Sequence, residues 1–246
     1  MTFRDLHYGQ TPLLLPNAWD VGSAIAFADQ GFPAIGTTSF GVGAAAGYAD
    51  GGRASKDATT WLVRALAALP GYVSADIEDG YSDDPGEVAD YVSALEAAGV
   101  NVEDSSAGAL IAPERHAAKV AAVKQRAPGV FVNARIDNYW LRQDAAVPAV
   151  LERAAAYVAA GADGIFVPGV RAPADLETLA AQIPVPVNVL VVPGLTVTDL
   201  ARLGIRRVST GSLPYRAAVD GGELPAATPY PEAQARLARY ADFLAR

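Results

Sequence analysis

Short apolar segments of strand length alternate along the chain with longer, alanine-rich segments in which apolar residues recur at three- and four-residue spacing. This alternation predicts strands followed by amphipathic helices. The predicted strands are 13–15, 34–37, 73–76, 100–103, 130–135, 164–167, 186–189 and 207–210. The predicted helices are 21–30, 56–69, 85–98, 112–126, 145–160, 172–182 and 196–203.

Glycines mark several joints between a predicted helix and the next strand. Gly99, Gly161 and Gly204 each follow an alanine or leucine, and glycine ends helices because it adopts the left-handed conformation at little cost. Strands that alternate with helices pair in parallel, and eight repeats in 246 residues predict an α/β fold, a (β/α)₈ TIM-type barrel. A doubly wound open sheet is the alternative.

The organisation predicts one barrel domain over 1–246, with an additional C-terminal helix at 229–246. Leu237, Tyr240 and Phe243 give that helix an apolar side, which packs on the barrel or on a neighbouring subunit. We therefore expect a homo-oligomer, a dimer or a tetramer.

Composition narrows the chemistry. Hydrophobic residues make up 51% of the chain and the formal net charge is −8, which argues against nucleic-acid and anionic-membrane partners. The chain has no cysteine and two histidines, so thiol chemistry and zinc–thiolate sites are excluded. Neither a signal-peptide core nor a membrane-spanning run is evident, and a cytoplasmic location is expected.

Carboxylates cluster where two neighbouring predicted strands end. Asp76, Glu78 and Asp79 follow the third strand, and Glu103 and Asp104 follow the fourth. Their mutual repulsion would be costly without a cation, and oxygen ligands alone favour Mg²⁺ or Mn²⁺. The alternative is that some of them cap or charge helix N-termini, a reading that is stronger for Asp79 and Asp104.

Other strand ends carry candidates for anion binding. Arg135 could hold a carboxylate or phosphonate through two parallel hydrogen bonds, or could form a structural ion pair with Asp137 or Glu103. Thr38 and Ser39 begin a small-residue turn whose amides could approach an anion. The segment 210–212 could be a barrel phosphate site. His116 is expected on an exposed helix face.

Five segments, in order, resemble the isocitrate lyase and phosphoenolpyruvate mutase superfamily. They are Leu-Pro-Asn-Ala-Trp-Asp at 15–20, Ser-Ala-Asp-Ile-Glu-Asp-Gly-Tyr at 74–81, Val-Asn-Val-Glu-Asp at 100–104, Asn-Ala-Arg-Ile-Asp at 133–137 and Gly-Ala-Asp-Gly-Ile-Phe-Val-Pro at 161–168. The chain is most similar to the short, mutase-like or lyase-like branch.

The resemblance implies a (β/α)₈ barrel, Mg²⁺ and a 2-oxo acid substrate whose carbon–carbon or carbon–phosphorus bond changes beside a metal-stabilised enolate. It assigns Asp76 as the direct metal ligand, with Glu78 and Glu103 as partners of the metal or its waters. The implied catalytic and substrate-binding residues are Asp50, Arg135, Ser39, Tyr81, Trp19, Asp20, Thr38 and Asn188. Glu78 and Ser39 depart from the family pattern, which has aspartate and glycine there.

Two further departures restrict the reaction. The lyases of this superfamily use a catalytic cysteine that this chain lacks, and its loop at 105–110 is shorter than the gating loop of the mutases. Decarboxylation of oxaloacetate, or carbon–carbon cleavage of a similar 2-oxo acid, needs neither feature. Phosphonopyruvate-type mutase or hydrolase chemistry is the alternative. A barrel that binds a 2-oxo acid without turning it over is the alternative from another class.

Overall fold

A computed structural model describes residues 1–220, and the predicted helix at 229–246 lies outside the described residues. The strands are β1 (Leu13–Leu15), β2 (Asn17–Ala18), β3 (Ala34–Thr37), β4 (Tyr72–Asp76), β5 (Gly99–Glu103), β6 (Ser105–Ser106), β7 (Ala109–Leu110), β8 (Phe131–Arg135), β9 (Gly164–Phe166), β10 (Val187–Leu190) and β11 (Arg207–Ser209).

A 3₁₀ turn at Asp5–Tyr8 precedes the first strand. The helices are α1 (Val21–Asp29), α2 (Ser39–Ala45), α3 (Lys56–Leu66), α4 (Pro85–Leu95), α5 (Pro113–Arg126), α6 (Asn138–Leu141), α7 (Val147–Ala159), α8 (Pro173–Gln182), α9 (Val197–Arg202) and α10 (Leu213–Asp220). No helix among residues 1–220 is long and apolar enough to cross a membrane.

The strands form a parallel barrel. One sheet has the order β1-β11-β10-β9-β8-β5-β4-β3-β2, and β6 and β7 form a separate antiparallel hairpin. The two ends of the sheet, β1 and β2, are separated only by Pro16, so they are two halves of one strand and the sheet returns to its start. The predicted TIM-type barrel is confirmed, and the open sheet is excluded.

Each strand places alternate residues on opposite faces of the barrel wall. The outward-facing residues of β5 and β8 are apolar and buried against the helices: Val100, Val102, Val132 and Ala134. Burial of one such valine side chain stabilises the fold by about 1.5–3 kcal/mol. The main hydrophobic core therefore lies between the barrel and its helices.

The inside of the barrel is polar at mid-height. Arg207 on β11 reaches Ser74 on β4 and Asn101 on β5, strands on the other side of the barrel, so these contacts run through its interior. We call Ser74, Asn101, Asn133, Asn188 and Arg207 the interior polar layer. Every one of them is at most 3% exposed.

Below this layer an apolar plug closes the amino-terminal end of the barrel. Phe3, Leu13, Leu15, Ala34 and Phe131 form it, and the His7 ring stacks on Phe131 with ring centroids 4.1 Å apart.

Two local predictions are corrected. Helix α4 ends at Leu95 because Glu96, with φ of 56°, supplies the left-handed residue expected at Gly99, which instead begins β5. His116 was expected in solvent, but it is fully buried between α5 and α7, with its ring 4.5 Å from that of Tyr157. Gly161 and Gly204 have the expected positive φ values, 99° and 87°.

Candidate active site

A cavity of about 370 Å³ opens at the carboxyl ends of the barrel strands. Six of the predicted site residues line it: Thr38, Ser39, Asp50, Asp76, Glu103 and Arg135. Five others do not: Trp19, Asp20, Glu78, Tyr81 and Asn188. The cavity also has lining residues for which no role was predicted, among them Asn101, Trp140 and Phe166, and it is lined by Asp137, the predicted ion-pair partner of Arg135.

Asp76 is the last residue of β4 and is held by the start of α2. The Ser39 amide and hydroxyl both donate to Asp76 Oδ2, each at 3.0 Å. Both of these hydrogen bonds go to Oδ2, which leaves Asp76 Oδ1 available to a ligand in the cavity. The Ser39 amide, expected to approach a substrate anion, is thus committed to Asp76.

Arg135 is the last residue of β8 and lies between two carboxylates. Arg135 Nη1 is 2.8 Å from Glu103 Oε2, and Nε donates to Asp137 Oδ1 at 2.6 Å. Its guanidinium carbon lies 5.7 Å from the ring centroid of Trp140 and 5.9 Å from that of Phe166. The two roles weighed for Arg135 are therefore compatible, because it forms ion pairs and also faces the cavity.

Several carboxylates lie close together at this end of the barrel, and burial and their negative charges shift the pKa values of the groups there. Burial raises the pKa of the Glu103 carboxyl, with the charges of Asp137 and Asp76 adding to the shift and Arg135 opposing it. Burial also raises the pKa of Asp50, and the Asp76 charge raises it further. Burial alone would lower the pKa of Arg135, but the neighbouring carboxylates hold it above its usual value.

Glu78 faces the segment that follows Asp50 rather than the cavity. Its residue has a φ of 49°, and its carboxylate accepts hydrogen bonds from the Arg53 amide at 2.9 Å and from the Ser55 hydroxyl. Burial raises the pKa of this carboxyl. The structure therefore places Glu78 as an anchor for the segment carrying Asp50, and not beside Asp76 in the cavity.

Asp79 and Asp104 have structural partners, but neither of them caps a helix, as the alternative had predicted for them. Asp79 forms an ion pair with Arg53 and accepts a hydrogen bond from the Tyr81 amide. Asp104 is 2.9 Å from Arg153 Nη1 and accepts a hydrogen bond from the Tyr157 hydroxyl at 2.7 Å. The predicted group of five carboxylates is thus divided, and only Asp76 and Glu103 of that group line the cavity.

Tyr81 is buried behind the cavity wall. Its hydroxyl lies 3.1 Å from the hydroxyls of both Ser55 and Thr59. Burial raises the pKa of the Tyr81 phenol. Tyr81 does not line the cavity, and its hydroxyl is paired with the hydroxyls of Ser55 and Thr59.

Four other predicted residues have identifiable structural positions. Asp20 caps α1 by accepting the Ser23 amide at 2.7 Å, and Thr38 caps α2. Trp19 packs edge-on against Tyr215, with ring centroids 5.7 Å apart. Asn188 belongs to the interior polar layer, beneath the cavity.

The short loop after Glu103 reaches the cavity despite its length. It forms the β6–β7 hairpin, whose turn residues Ala107 and Gly108 line the cavity. The Ser105 hydroxyl donates to Asp137 at 2.6 Å, and the Leu110 amide donates to Gln143 Oε1 at 3.1 Å. The hairpin therefore forms one wall of the cavity.

The segment 210–212 is not arranged as a free phosphate site. The backbone amides of Thr210 and Gly211 both donate to Asn17 Oδ1 at 2.9 Å. Asn17 Nδ2 in turn donates to the Thr37 carbonyl at 2.7 Å. These amides close the barrel between its last and first strands instead of facing an anion.

The donor set suits a hard cation through one direct protein ligand. Among residues 1–220, no group of three or more His, Asp or Glu side chains is arranged to hold a metal ion. However, Mg²⁺ retains several waters and typically binds through one or two carboxylates. Asp76 as the direct ligand, with waters reaching Asp50 and Glu103 across the same cavity, fits this preference.

Unlike Asn188, Asn101 and Asn133 were not predicted as functional residues, although the sequence contains a signal for their position inside the barrel. Val100-Asn101, Val132-Asn133 and Val187-Asn188 repeat the same apolar–amide pair within three predicted strands. Because side chains alternate across a strand, the amide must face away from the buried valine. That alternation would have placed all three asparagines inside the barrel.

Comparison with known proteins agrees with this architecture. The family model described as phosphoenolpyruvate phosphomutase matches residues 3–228. An uncharacterised protein of Mycobacterium tuberculosis is 55% identical over 98% of this chain and 97% of its own length. The oxaloacetate decarboxylase of Pseudomonas paraeruginosa is 34% identical over 63% of this chain and 57% of its own length.

A solved structure from Burkholderia cenocepacia J2315, provisionally described as a phosphonomutase, superposes with a TM-score of 0.84. It is 39% identical to this chain, and the match covers 89% of this chain and 95% of that one.

Proposed function

The chain belongs to the phosphoenolpyruvate phosphomutase family, and from that premise we propose that it is a Mg²⁺-dependent lyase acting on a small 2-oxo acid such as oxaloacetate. The reaction proposed is carbon–carbon bond cleavage, in the simplest case decarboxylation. The similarity to an oxaloacetate decarboxylase supports this choice of substrate class.

One observation carries the proposal: Asp76 and Arg135 line the same cavity of about 370 Å³. The Asp76 carboxylate, which can bind a metal, and the Arg135 guanidinium, which lies beside two aromatic rings, provide two different binding points for a ligand. A 2-oxo diacid has a 2-oxo-carboxylate end that suits a hard cation and a distal carboxylate that suits arginine. A cavity of about 370 Å³ is at the small end of ligand sites and suits a small acid.

The residues of the chain would divide the work as follows. Asp76 and the waters around Asp50 and Glu103 would hold Mg²⁺, which when bound supplies positive charge that stabilises an enolate. Arg135 would orient the distal carboxylate. When the bond to that carboxylate breaks, its electron pair passes to the enolate, CO₂ leaves, and a proton returns to the carbon from water or from Ser39.

Carbon–phosphorus chemistry is the second candidate. The Burkholderia structure described provisionally as a phosphonomutase is 39% identical to this chain, whereas the oxaloacetate decarboxylase of Pseudomonas paraeruginosa is 34% identical. The guanidinium of Arg135 could bind a phosphonate as readily as a carboxylate. The division of roles among the other residues would be unchanged.

The test is turnover of a panel of 2-oxo acids, including oxaloacetate and phosphonopyruvate, with and without Mg²⁺. We expect Mg²⁺-dependent turnover of oxaloacetate that is abolished in Asp76→Ala. Asp90→Ala is the matched control, because Asp90 is an exposed carboxylate paired with Arg126 on the outer surface. We also expect Mg²⁺ to raise the Tm of wild type and Asp90→Ala but not that of Asp76→Ala.

Turnover of phosphonopyruvate alone would favour the second candidate. Mg²⁺-dependent ligand binding without any turnover would favour the non-catalytic barrel. A variant lacking Asp76 that responds to Mg²⁺ as wild type does would contradict the metal assignment.

A further inference from the structure

Arg207 is a buried cation inside the barrel with few partners. It is 1% exposed, and its Nη2 donates to Asn101 Oδ1 at 3.2 Å and to Ser74 Oγ at 3.4 Å. Its Nε and Nη1 atoms have no hydrogen-bond partner among residues 1–220. No carboxylate within that part of the chain forms an ion pair with it. A buried charge without an ion-pair partner destabilises a fold.

The guanidinium fixes which way the Asn101 amide points. Arginine carries only donors, so the Asn101 atom that it contacts must be the carbonyl oxygen. Asn133 Nδ2 donates to the same oxygen at 2.8 Å, which fixes the orientation from a second side. The Asn101 Nδ2 group therefore points away from the Arg207 guanidinium and from Asn133 Nδ2.

Asn101 also lies at the floor of the cavity. It is a cavity-lining residue, it is the register partner of Asp76 on the neighbouring strand, and it precedes Glu103 by two positions. Residues two apart on a strand share a face, so Asn101 and Glu103 face the same space. The contacts of Asn101 with Arg207 and Asn133 both use its oxygen, and among residues 1–220 its NH₂ group has no hydrogen-bond partner.

We propose that Asn101 is a substrate-binding residue whose NH₂ donates a hydrogen bond to an oxygen of the 2-oxo acid held between Asp76 and Arg135, and that Arg207 is the positioning residue that orients it. This inference rests on the proposed function. It extends the site downward from the strand ends into the barrel, and it gives the interior polar layer a role in ligand recognition.

Oxalate with Mg²⁺ is the probe, since it is a planar dianion that resembles the 2-oxo-carboxylate end of the substrate and can be measured without turnover. Asn101→Asp preserves shape, replaces the donating NH₂ with oxygen and keeps an acceptor for Arg207, so it should fold. We expect the Kd for oxalate, measured by calorimetry, to rise about 10- to 150-fold, as for loss of a hydrogen bond to a charged group. The kcat/KM for the substrate should fall in parallel.

Ser74→Ala is the matched control. Ser74 is the other partner of Arg207 Nη2, is equally buried and does not line the cavity. We expect its oxalate affinity to equal that of wild type.

Arg207 is tested by Arg207→Met and Arg207→Lys. With the guanidinium gone, only Asn133 Nδ2 still holds the Asn101 oxygen, and the Asn133 amide can turn over together with that of Asn101, so oxalate affinity should fall in Arg207→Met while the Tm is maintained or raised. Lysine is also a donor only, so Arg207→Lys should recover part of the affinity. A purely structural role would lower the Tm and leave the affinity per folded molecule unchanged.

The outcomes separate the two proposals. If wild type binds oxalate with Mg²⁺, Asp76→Ala does not and Asn101→Asp binds as wild type does, the inference about Asn101 is overturned and the proposed function stands. Wild-type affinity in Arg207→Met overturns the positioning role. If wild type fails to bind oxalate with Mg²⁺, the proposed function fails and this inference fails with it.

Discussion

The two faces of the barrel wall are built from the same strands and differ in almost every physical respect. The outward residues Val100, Val132 and Val187 are apolar and packed against helices. Their inward neighbours, Asn101, Asn133 and Asn188, are equally buried but polar. The difference teaches that burial alone does not identify the hydrophobic core of this protein, because at mid-height of the barrel only the outer layer is hydrophobic.

The two faces have different requirements. The outer layer gains stability from apolar area removed from water, a contribution that does not depend on direction. The inner layer contains polar groups whose burial costs free energy, and three of their atoms, Arg207 Nε and Nη1 and Asn188 Nδ2, have no hydrogen-bond partner among residues 1–220. We therefore expect substitutions in the outer layer to change stability and substitutions in the inner layer to change binding and catalysis.

The largest expected effect is on the outer side. Ile165 on β9 is fully buried between the barrel and its helices. Ile165→Ala should lower the free energy of unfolding by about 2–5 kcal/mol through lost burial and the cavity left behind. Urea unfolding measures this, and kcat/KM per folded molecule should not change. A loss of activity larger than the unfolded fraction would break the division between the faces.

Arg135→Lys tests the inner side. Lysine keeps the charge between Glu103 and Asp137 but loses the two-pronged geometry, so kcat/KM should fall by about tenfold to a thousandfold, equivalent to about 1.4–4 kcal/mol. The Tm should change little. A destabilised protein with unchanged kcat/KM per folded molecule would show that Arg135 serves the fold and not the ligand.

His116 is a polar residue in the apolar layer, and it predicts a pH dependence. Burial lowers its folded-state pKa to about 3, against an ordinary value of 6.5. Stability is therefore fully present above pH 6.5 and is lost as the pH falls from 6.5 towards 3, because the unfolded chain binds the proton first. Between pH 7 and pH 5, this one group should remove about 2 kcal/mol from the free energy of unfolding.

His116→Leu removes that contribution and keeps the residue apolar. The comparison of urea unfolding at the two pH values should show a smaller loss in the variant by this amount. His7, whose pKa burial also lowers to about 3, remains in both proteins and cancels. Equal losses in variant and wild type would mean that His116 has the same pKa in the folded and unfolded states and that burial does not lower it.

The smallest expected effect lies on the outer surface. Asp84 caps α4 by accepting the Glu87 amide at 2.9 Å. Asp84→Ala should lower the free energy of unfolding by about 0.5–2 kcal/mol, while Asp84→Asn, which can still cap, should be close to wild type. Kinetic constants should be unchanged in both, and an altered KM would link this helix to the site.

The barrel was predictable because its signals are periodic and local. The strand and helix alternation survives small errors, such as the early end of α4 at Glu96. The side chains of the site were harder to place, because their direction depends on loop backbone. Glu78 is two residues beyond Asp76 and would share its face in a continuing strand, but its positive φ turns it towards Ser55.

The sequence also could not show whether the two roles predicted for Arg135 are compatible. The ion-pair and anion-binding roles of Arg135 were treated as alternatives, whereas the structure permits both at once. The burial of His116 depends on how α5 and α7 meet, which no local pattern contains.

The side-chain contacts of Asn17 bear on the order in which the barrel folds. Its side chain joins Thr37 on β3 to the amide of Thr210, which lies 193 positions further along the chain. The ring of strands closes only when these distant residues meet, and contacts of such long range form late in folding because the loop between them must first be ordered. We therefore expect the cavity to appear only once the strand at 207–209 has been made and docked, so that ligand binding during refolding reports the completed ring and not its partly built wall.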